Sequence, residues 1–246
     1  MQNGSKILSS LKGLILIFIS AMSISTLCFA EDGRIFSATN ITESKSASKG
    51  GTTSQTYSFT EQPFDAIKLA GAFEVTAQVT HQTHTENVVV TANNNLLPYI
   101  KVYVKNKTLY ISKRDDWEFH PFKKIKIMVN VDNLESIKTN GSSNIHINNI
   151  KADDFAAEIN GSGNVVLQGN VKKLATEIHG SVKIDAKNLI AEKAKVSIFG
   201  SGHIIANATQ KIGINIQGSG TVEYYGAPRE IEQSFSGSGK IKAMGK

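Results

Sequence analysis

The stretch Arg114-Asp115-Asp116-Trp117-Glu118-Phe119-His120-Pro121-Phe122 gathers the only tryptophan of the chain with two phenylalanines and three acids. An aromatic ring beside polar groups is the chemistry of sugar stacking or of a protein contact. Trp117, Asp115, Asp116, Phe119 and His120 are therefore the candidate ligand-binding residues, for a glycan or a surface protein. Trp117, Phe119 and Phe122 would also serve as a plug over the end of a β stack, and the plug is the preferred reading. The adjacent pairs Asp115-Asp116 and Asp153-Asp154 invite comparison with glycosidase carboxylates. Neighbours on a strand point to opposite faces, which makes each a poor acid and base couple.

Other chemistries fare worse. His81 and His84 fall in an expected turn, and His179 and His203 on adjacent repeat units, without the cysteine or clustered carboxylate that would complete a zinc site. Calcium needs oxygen-rich cages, but the glycine-rich units carry Asn144, Asn164, His203, Thr221 and Lys240 where calcium-binding repeats place aspartate. No Ser-His-Asp set or nucleophile motif can be placed. The expectation is no catalytic residue, no metal and no cofactor.

The elements that must carry these residues follow from a repeat. Gly-Ser pairs fall at 141, 161, 180, 200, 218 and 237, at spacings of 20, 19, 20, 18 and 19 residues. Two residues before each glycine stand Thr139, Ile159, Ile178, Ile198, Ile216 and Phe235. Four after it stand Ile145, Val165, Ile204, Val222 and Ile241, with Val182 assigned that place in a shortened third unit. Six after it stand Ile147, Leu167, Ala206, Tyr224 and Ala243. Coils stacked about 4.8 Å apart would align these as continuous interior columns. Gly141, Gly161, Gly180, Gly200, Gly218 and Gly237 then read as structural corners, because glycine reaches backbone angles closed to other residues. A phosphate cradle would need a helix after the glycines, and a strand follows instead.

Upstream, Ile67 and Leu69 precede Gly71, and Val75 and Ala77 follow it, at the same offsets. This predicts a degenerate first coil, with residues 80–135 as a hairpin-rich insertion or cap between it and the main stack. Alternation continues through Val88–Val90, Ile100–Val104, Leu109–Ile111 and Ile125–Val131, and Lys105-Asn106-Lys107 reads as a hairpin turn. No segment has helical period. The expected fold is all-β: a right-handed parallel β-helix-like solenoid with coils of about 19 residues, preceded by a strand- and hairpin-rich region.

Residues 1–30 read as a signal peptide, with Lys6 and Lys12 ahead of an apolar run and Cys28-Phe29-Ala30 before a cut at Glu31. Cleavage would remove the only cysteine and with it any thiol or disulfide chemistry. No later stretch approaches the roughly 20 apolar residues of a membrane span. Residues 31–56, rich in Ser, Thr, Lys and Gly, are expected to be a flexible leader. Residues 57–246 would then form one domain, with 57–135 as its strand and hairpin part and 136–246 as the repeat coils. The formal charge is +6, but the basic residues are scattered among acids, unlike a nucleic-acid footprint.

Phe64-Asp65-Ala66-Ile67, Leu69-Ala70-Gly71-Ala72-Phe73-Glu74-Val75, Asn95-Leu96-Leu97-Pro98-Tyr99-Ile100, Leu109-Tyr110-Ile111 and the Gly-Ser-Gly units together resemble one bacterial family. That family is the autotransporter adhesin head, or GIN, domain of exported proteins. The resemblance covers about residues 58–246. It implies a right-handed parallel β-helix-like fold in a secreted or surface protein, and it transfers no catalytic or ligand residues.

Three functions fit these observations. The first is an exported non-enzymatic binding, adhesion or envelope-scaffold module located in the periplasm, at the cell surface or outside the cell. The second is a β-helix carbohydrate-active enzyme or polysaccharide-binding protein. The third is a self-assembling unit joined through an open strand edge at the C-terminal coil, unless Lys240, Lys242 and Lys246 protect that edge.

Overall fold

The computed structural model describes residues 28–31, 34–37, 42–44, 51–83, 86–114 and 125–245. The protein is all-β, with no α-helix among these residues. Strands β1 (Cys28–Glu31) and β2 (Arg34–Ser37) form a separate antiparallel pair. The other strands share one sheet: β3 (Thr42–Ser44), β4 (Thr52–Ser58), β5 (Ala66–Ala70), β6 (Phe73–Val79), β7 (Asn87–Asn93), β8 (Ile100–Lys105), β9 (Thr108–Lys113) and β10 (Ile125–Val131), then β11 (Ser136–Gly200), β12 (His203–Gly218), β13 (Thr221–Tyr225), β14 (Glu230–Gly237) and β15 (Lys240–Ala243). A single 3-10 turn, Leu97–Tyr99, precedes β8.

From Ser136 onward the chain lies in rungs that pair parallel. Val196, Ile198 and Gly200 face Ile214, Ile216 and Gly218, while Ile216 and Gly218 face Phe235 and Gly237. Ile204 faces Val222, and Val222 faces Ile241. The aliphatic columns point inward: Ile159, Ile178, Ile198 and Ile216 are all buried, as are Ile145, Val165, Ile204 and Val222. One assignment is corrected. Ile184, not Val182, pairs with Ile204, so the third unit is not shortened; Val182 takes the place of the second glycine.

The glycines also let the rungs approach each other. In Gly141, Gly161, Gly180, Gly200, Gly218 and Gly237, φ lies between 126° and 135°. A Cβ added at any of them would fall 2.1–2.6 Å from the carbonyl oxygen of the glycine one rung earlier, beginning with Gly71. The second glycine has a different duty. A Cβ at Gly202, Gly220 or Gly239 would meet the Cγ2 of Ile178, Ile198 or Ile216 at 2.9, 2.7 or 2.5 Å. Serines tie the rungs through backbone and side chain. Ser201, Ser219 and Ser238 donate N–H to the carbonyls of Gly180, Gly200 and Gly218, and the Ser142 and Ser162 hydroxyls meet at 2.9 Å.

The degenerate upstream rung is present. Ile67 and Leu69 pair with Ile137 and Thr139, and Val75 and Ala77 with Ile145 and Ile147. Its position departs from expectation. Ile67 also pairs with Leu109, Leu69 with Ile111, and Val75 with Ile127, all parallel. The 66–79 rung therefore sits between the main stack and a further rung built from β9 and β10. Strands β7 to β10 do not separate the first coil from the stack but lie on its far side.

The sheet as a whole is mixed and not purely parallel, so the expected parallel solenoid describes only part of it. β7 runs antiparallel to β10, β4 to β7, β3 to β4 and β8 to β9. For β8 and β9 the physical reason is a short connection. Asn106 and Lys107, with φ of 50° and 57°, join β8 to β9 as a two-residue turn with both central residues left-handed. Such a turn can only reverse the chain, whereas parallel strands need a long crossover. β4 begins at Thr52, inside the stretch expected to be a leader, and lies along β7. These antiparallel strands close the N-terminal end, where buried Phe59 and Phe64 meet edge to face at 6.2 Å.

The interior contains two flaws. Thr139 and Thr176 are buried in the aliphatic columns, and their hydroxyls have no hydrogen-bond partner. A buried unpaired hydroxyl costs about 1–3 kcal/mol. Thr176→Val keeps the shape and removes that cost, so it is expected to raise stability by about 1 kcal/mol in a denaturant titration. A lower midpoint would mean the hydroxyl is satisfied after all.

Candidate functional site

Asp115, Asp116, Trp117, Phe119 and His120 lie outside the described residues, as does His84. Their position in the chain is nevertheless defined by register. Ala70 and Phe73 are separated only by Gly71-Ala72, but their partners Ser112 and Ile125 are separated by residues 113–124. The aromatic and acidic stretch therefore falls, in sequence, between the two strands that flank Gly71-Ala72 on the next rung.

The two carboxylates of the described Asp153-Asp154 pair are each neutralised by a separate lysine. Asp153 pairs with Lys172 at 2.8 Å and Asp154 with Lys173 at 3.1 Å, all four side chains well exposed. The Asp153 hydrogen bond and charge hold the Lys172 ammonium above its ordinary pKa. The histidines are dispersed into separate contacts. His179 stacks on Phe199 at 4.7 Å and bonds Glu177 at 2.5 Å, while His203 lies 3.7 Å from Glu223. His81 Nε2 meets the Asn149 carbonyl at 2.9 Å. Among the described residues no three metal-ligating side chains come together.

The structure brings together a different set. An open groove of about 750 Å³ runs along the side of the rungs. Ala152, Val171 and Ile190, which recur every 19 residues, supply its apolar strip. Val171 is buried, Ala152 half-buried and Ile190 46 % exposed. The banks are polar: Lys151, Asp153, Asn170, Lys172 and Glu192 on the rungs themselves, with His81, Asn133 and Glu135 at one end. Several of these are already oriented, since Asn133 donates to Glu135 at 3.2 Å and Gln210 to Glu192 at 3.2 Å. Ile190 is the large aliphatic side chain of the strip left exposed, on a strand face where polar residues are the default.

Sequence reasoning missed this groove because it sought chemistry in dense clusters. The signal was a single aliphatic residue, Ile190, set among polar neighbours on its face. Chemically, the groove offers dispersion contact along one line and amide, carboxylate and ammonium partners beside it. Such a surface orients an extended polar chain without polarising any one bond.

Among solved structures, the fold is similar to a "putative adhesin" from Bacteroides fragilis NCTC 9343, with a TM-score of 0.64 and 24% identity over 79% of this chain and 97% of that one. It is also similar to a "putative lipid binding protein" from Parabacteroides distasonis ATCC 8503, with a TM-score of 0.51 and 23% identity over 79% and 97% of the respective chains. No curated protein sequence matches the chain. The profile of one family matches residues 63–228, which span the upstream rung and most of the stack. On that match the chain belongs to the family described as "Putative auto-transporter adhesin, head GIN domain".

Proposed function

We propose that this is an exported, non-enzymatic, adhesion-type module whose lateral groove holds an extended neutral glycan. Residues 1–30 act as its export signal, and the remainder serves at the cell surface or in the envelope. Family membership supports the adhesion-type reading. The stack from residue 136 winds as a right-handed parallel β-helix, a reading supported by parallel register at each step and the strong right-handed bias of parallel crossovers.

The groove is the single observation that carries the ligand class. Sugar rings present C–H faces that suit the Ala152, Val171 and Ile190 strip, and hydroxyls that suit Asn170, Asp153 and Glu192. Three rungs at about 4.8 Å spacing give a strip of roughly 10 Å, room for an extended chain rather than a single small molecule. The aromatic stretch at Trp117, Asp115, Asp116, Phe119 and His120 is a second contact on the same ligand, because a glycan bound along several rungs would benefit from a stacking residue.

A soluble glycan panel read by calorimetry tests this. Ile190→Arg is expected to weaken the best ligand at least tenfold with an unchanged melting temperature, and Trp117→Ala to weaken it less. Binding untouched by Ile190→Arg, or no binding at all, would overturn the groove reading. Cleavage of any polysaccharide, lost in Asp154→Asn, would replace the binding module with an enzyme.

A further inference from the structure

The two ends of the stack are built differently. At the N-terminal end the outermost strands run antiparallel, β3 pairing only with β4 and β8 only with β9. At the other end, β14 pairs only with β12 and β15 only with β13, so among the described residues their outer edges face nothing. Ile231, Phe235 and Met244 there are 43, 49 and 43 % exposed. Ile231 and Phe235 continue columns that are buried one rung earlier, where Ile212 and Ile216 face them. The usual protections of an edge are missing from the inward row: Ile231, Gln233, Phe235, Ile241 and Ala243 include no charge and no proline.

The outward row is charged, and its signs are segregated. β14 carries Glu230 and Glu232, which share the one ammonium of Lys211 at 2.7 and 2.6 Å. β15 carries Lys240 and Lys242, and Lys242 pairs with Glu223 at 3.2 Å. One side of the end face is left with an excess acid and the other with an excess base. That pattern is complementary to itself.

We propose that the terminal rung is a homodimer interface in which two copies meet end to end across a two-fold axis through the Gly237-Ser238-Gly239 bend. The axis lays β14 of one copy antiparallel along β15 of the other, twice over. Inward residues are all odd-numbered on both strands, so a register that sets Phe235 of one copy beside Ile241 of the other keeps both apolar rows inside. It also places Ser234 beside Lys242, with Glu232 diagonal to that lysine and within reach of it. An isologous contact of this kind closes at two copies.

Sedimentation velocity of the purified full chain over a wide concentration range is the test. A monomer–dimer equilibrium is expected, with Phe235→Lys shifting its Kd at least tenfold toward monomer. Charge variants identify the occupant. Glu230→Lys with Glu232→Lys, and separately Lys240→Glu with Lys242→Glu, are each expected to be monomeric alone. Mixed in equal amounts they should form a heterodimer, because each sign then meets its opposite in both strand pairs. A strict monomer at millimolar concentration, growth beyond two copies, or failure of the mixed variants to pair while each keeps its melting temperature would overturn the proposal. Should the charge variants not fold, indifference of the dimer to Phe235→Lys would overturn it equally.

Discussion

Gly161→Ala is expected to remove more than about 3 kcal/mol of stability, enough to shift a denaturant midpoint far outside experimental scatter. Two costs combine. The φ of +135° lies in a region that residues with a side chain reach only at a penalty of about 1–3 kcal/mol. The new methyl would also lie 2.1 Å from the Gly141 carbonyl oxygen and 2.9 Å from its carbon. Neither is the tip of a flexible side chain, so the rungs themselves would have to part. Separation there weakens the hydrogen bonds between rungs along both flanking segments. Gly213→Ala provides the control. Its φ is not left-handed, and its nearest neighbour would be the Glu232 carboxylate at 3.8 Å. That change is expected to be neutral within about 0.5 kcal/mol. Equal effects from the two substitutions would show that close approach of the rungs is not what the glycine column secures.

Phe155→Ala is expected to cost about 3–5 kcal/mol, the range for deleting a fully buried ring. Phe155 is 1 % exposed and among the largest fully buried side chains of the protein. It starts the interior row that passes through Leu174, Ala194 and Ile212, all buried. A rung receives its interior contacts only from its neighbours, so a hole in the middle of the stack is not refilled from elsewhere. The same chemical change at the terminal rung makes the comparison. Phe235 is 49 % exposed, and Phe235→Ala in dilute solution is expected to cost less than about 1 kcal/mol. Phe155→Leu should recover most of the loss. If both alanine variants unfold at the same denaturant concentration, the inside and end of the stack are not distinguished by burial.

The repeating half of the molecule was legible because period and burial coincide there. A column such as Ile159, Ile178, Ile198 and Ile216 carries the same instruction several times, and the chain obeys it each time. The third unit was misread because Val182 stands where Gly163 and Gly202 stand in its neighbours. An apolar residue at that place imitated an interior position that Ile184 in fact fills. The rung order was not legible. Leu109, Ile111 and Ile127 alternate as any strand does, and nothing local states that they lie beyond Ile67 and Leu69 instead of between those residues and Ile137. Pairing partners separated by tens of residues are set by which arrangement closes the end of the core, which is a property of the whole chain. The mixed sheet was half visible, in the Asn106-Lys107 turn. The groove was the reverse case: Ala152, Val171 and Ile190 were in plain sight at a constant interval, but only Ile190 stands exposed where polar residues are expected, and burial is not readable from the interval.

The interleaving of the 66–79 segment between two later ones has an architectural effect. At the 230–243 end, one unit can be gained or lost with a single neighbour affected, so the molecule is free to vary in length there. At the opposite end the outermost strands, β3 and β4, run antiparallel and do not repeat the rung pattern. Excising 66–79 would withdraw a middle storey and leave its two neighbours without a shared floor. Growth of this protein by unit duplication is therefore a one-ended process, with the hairpin end as its fixed foundation.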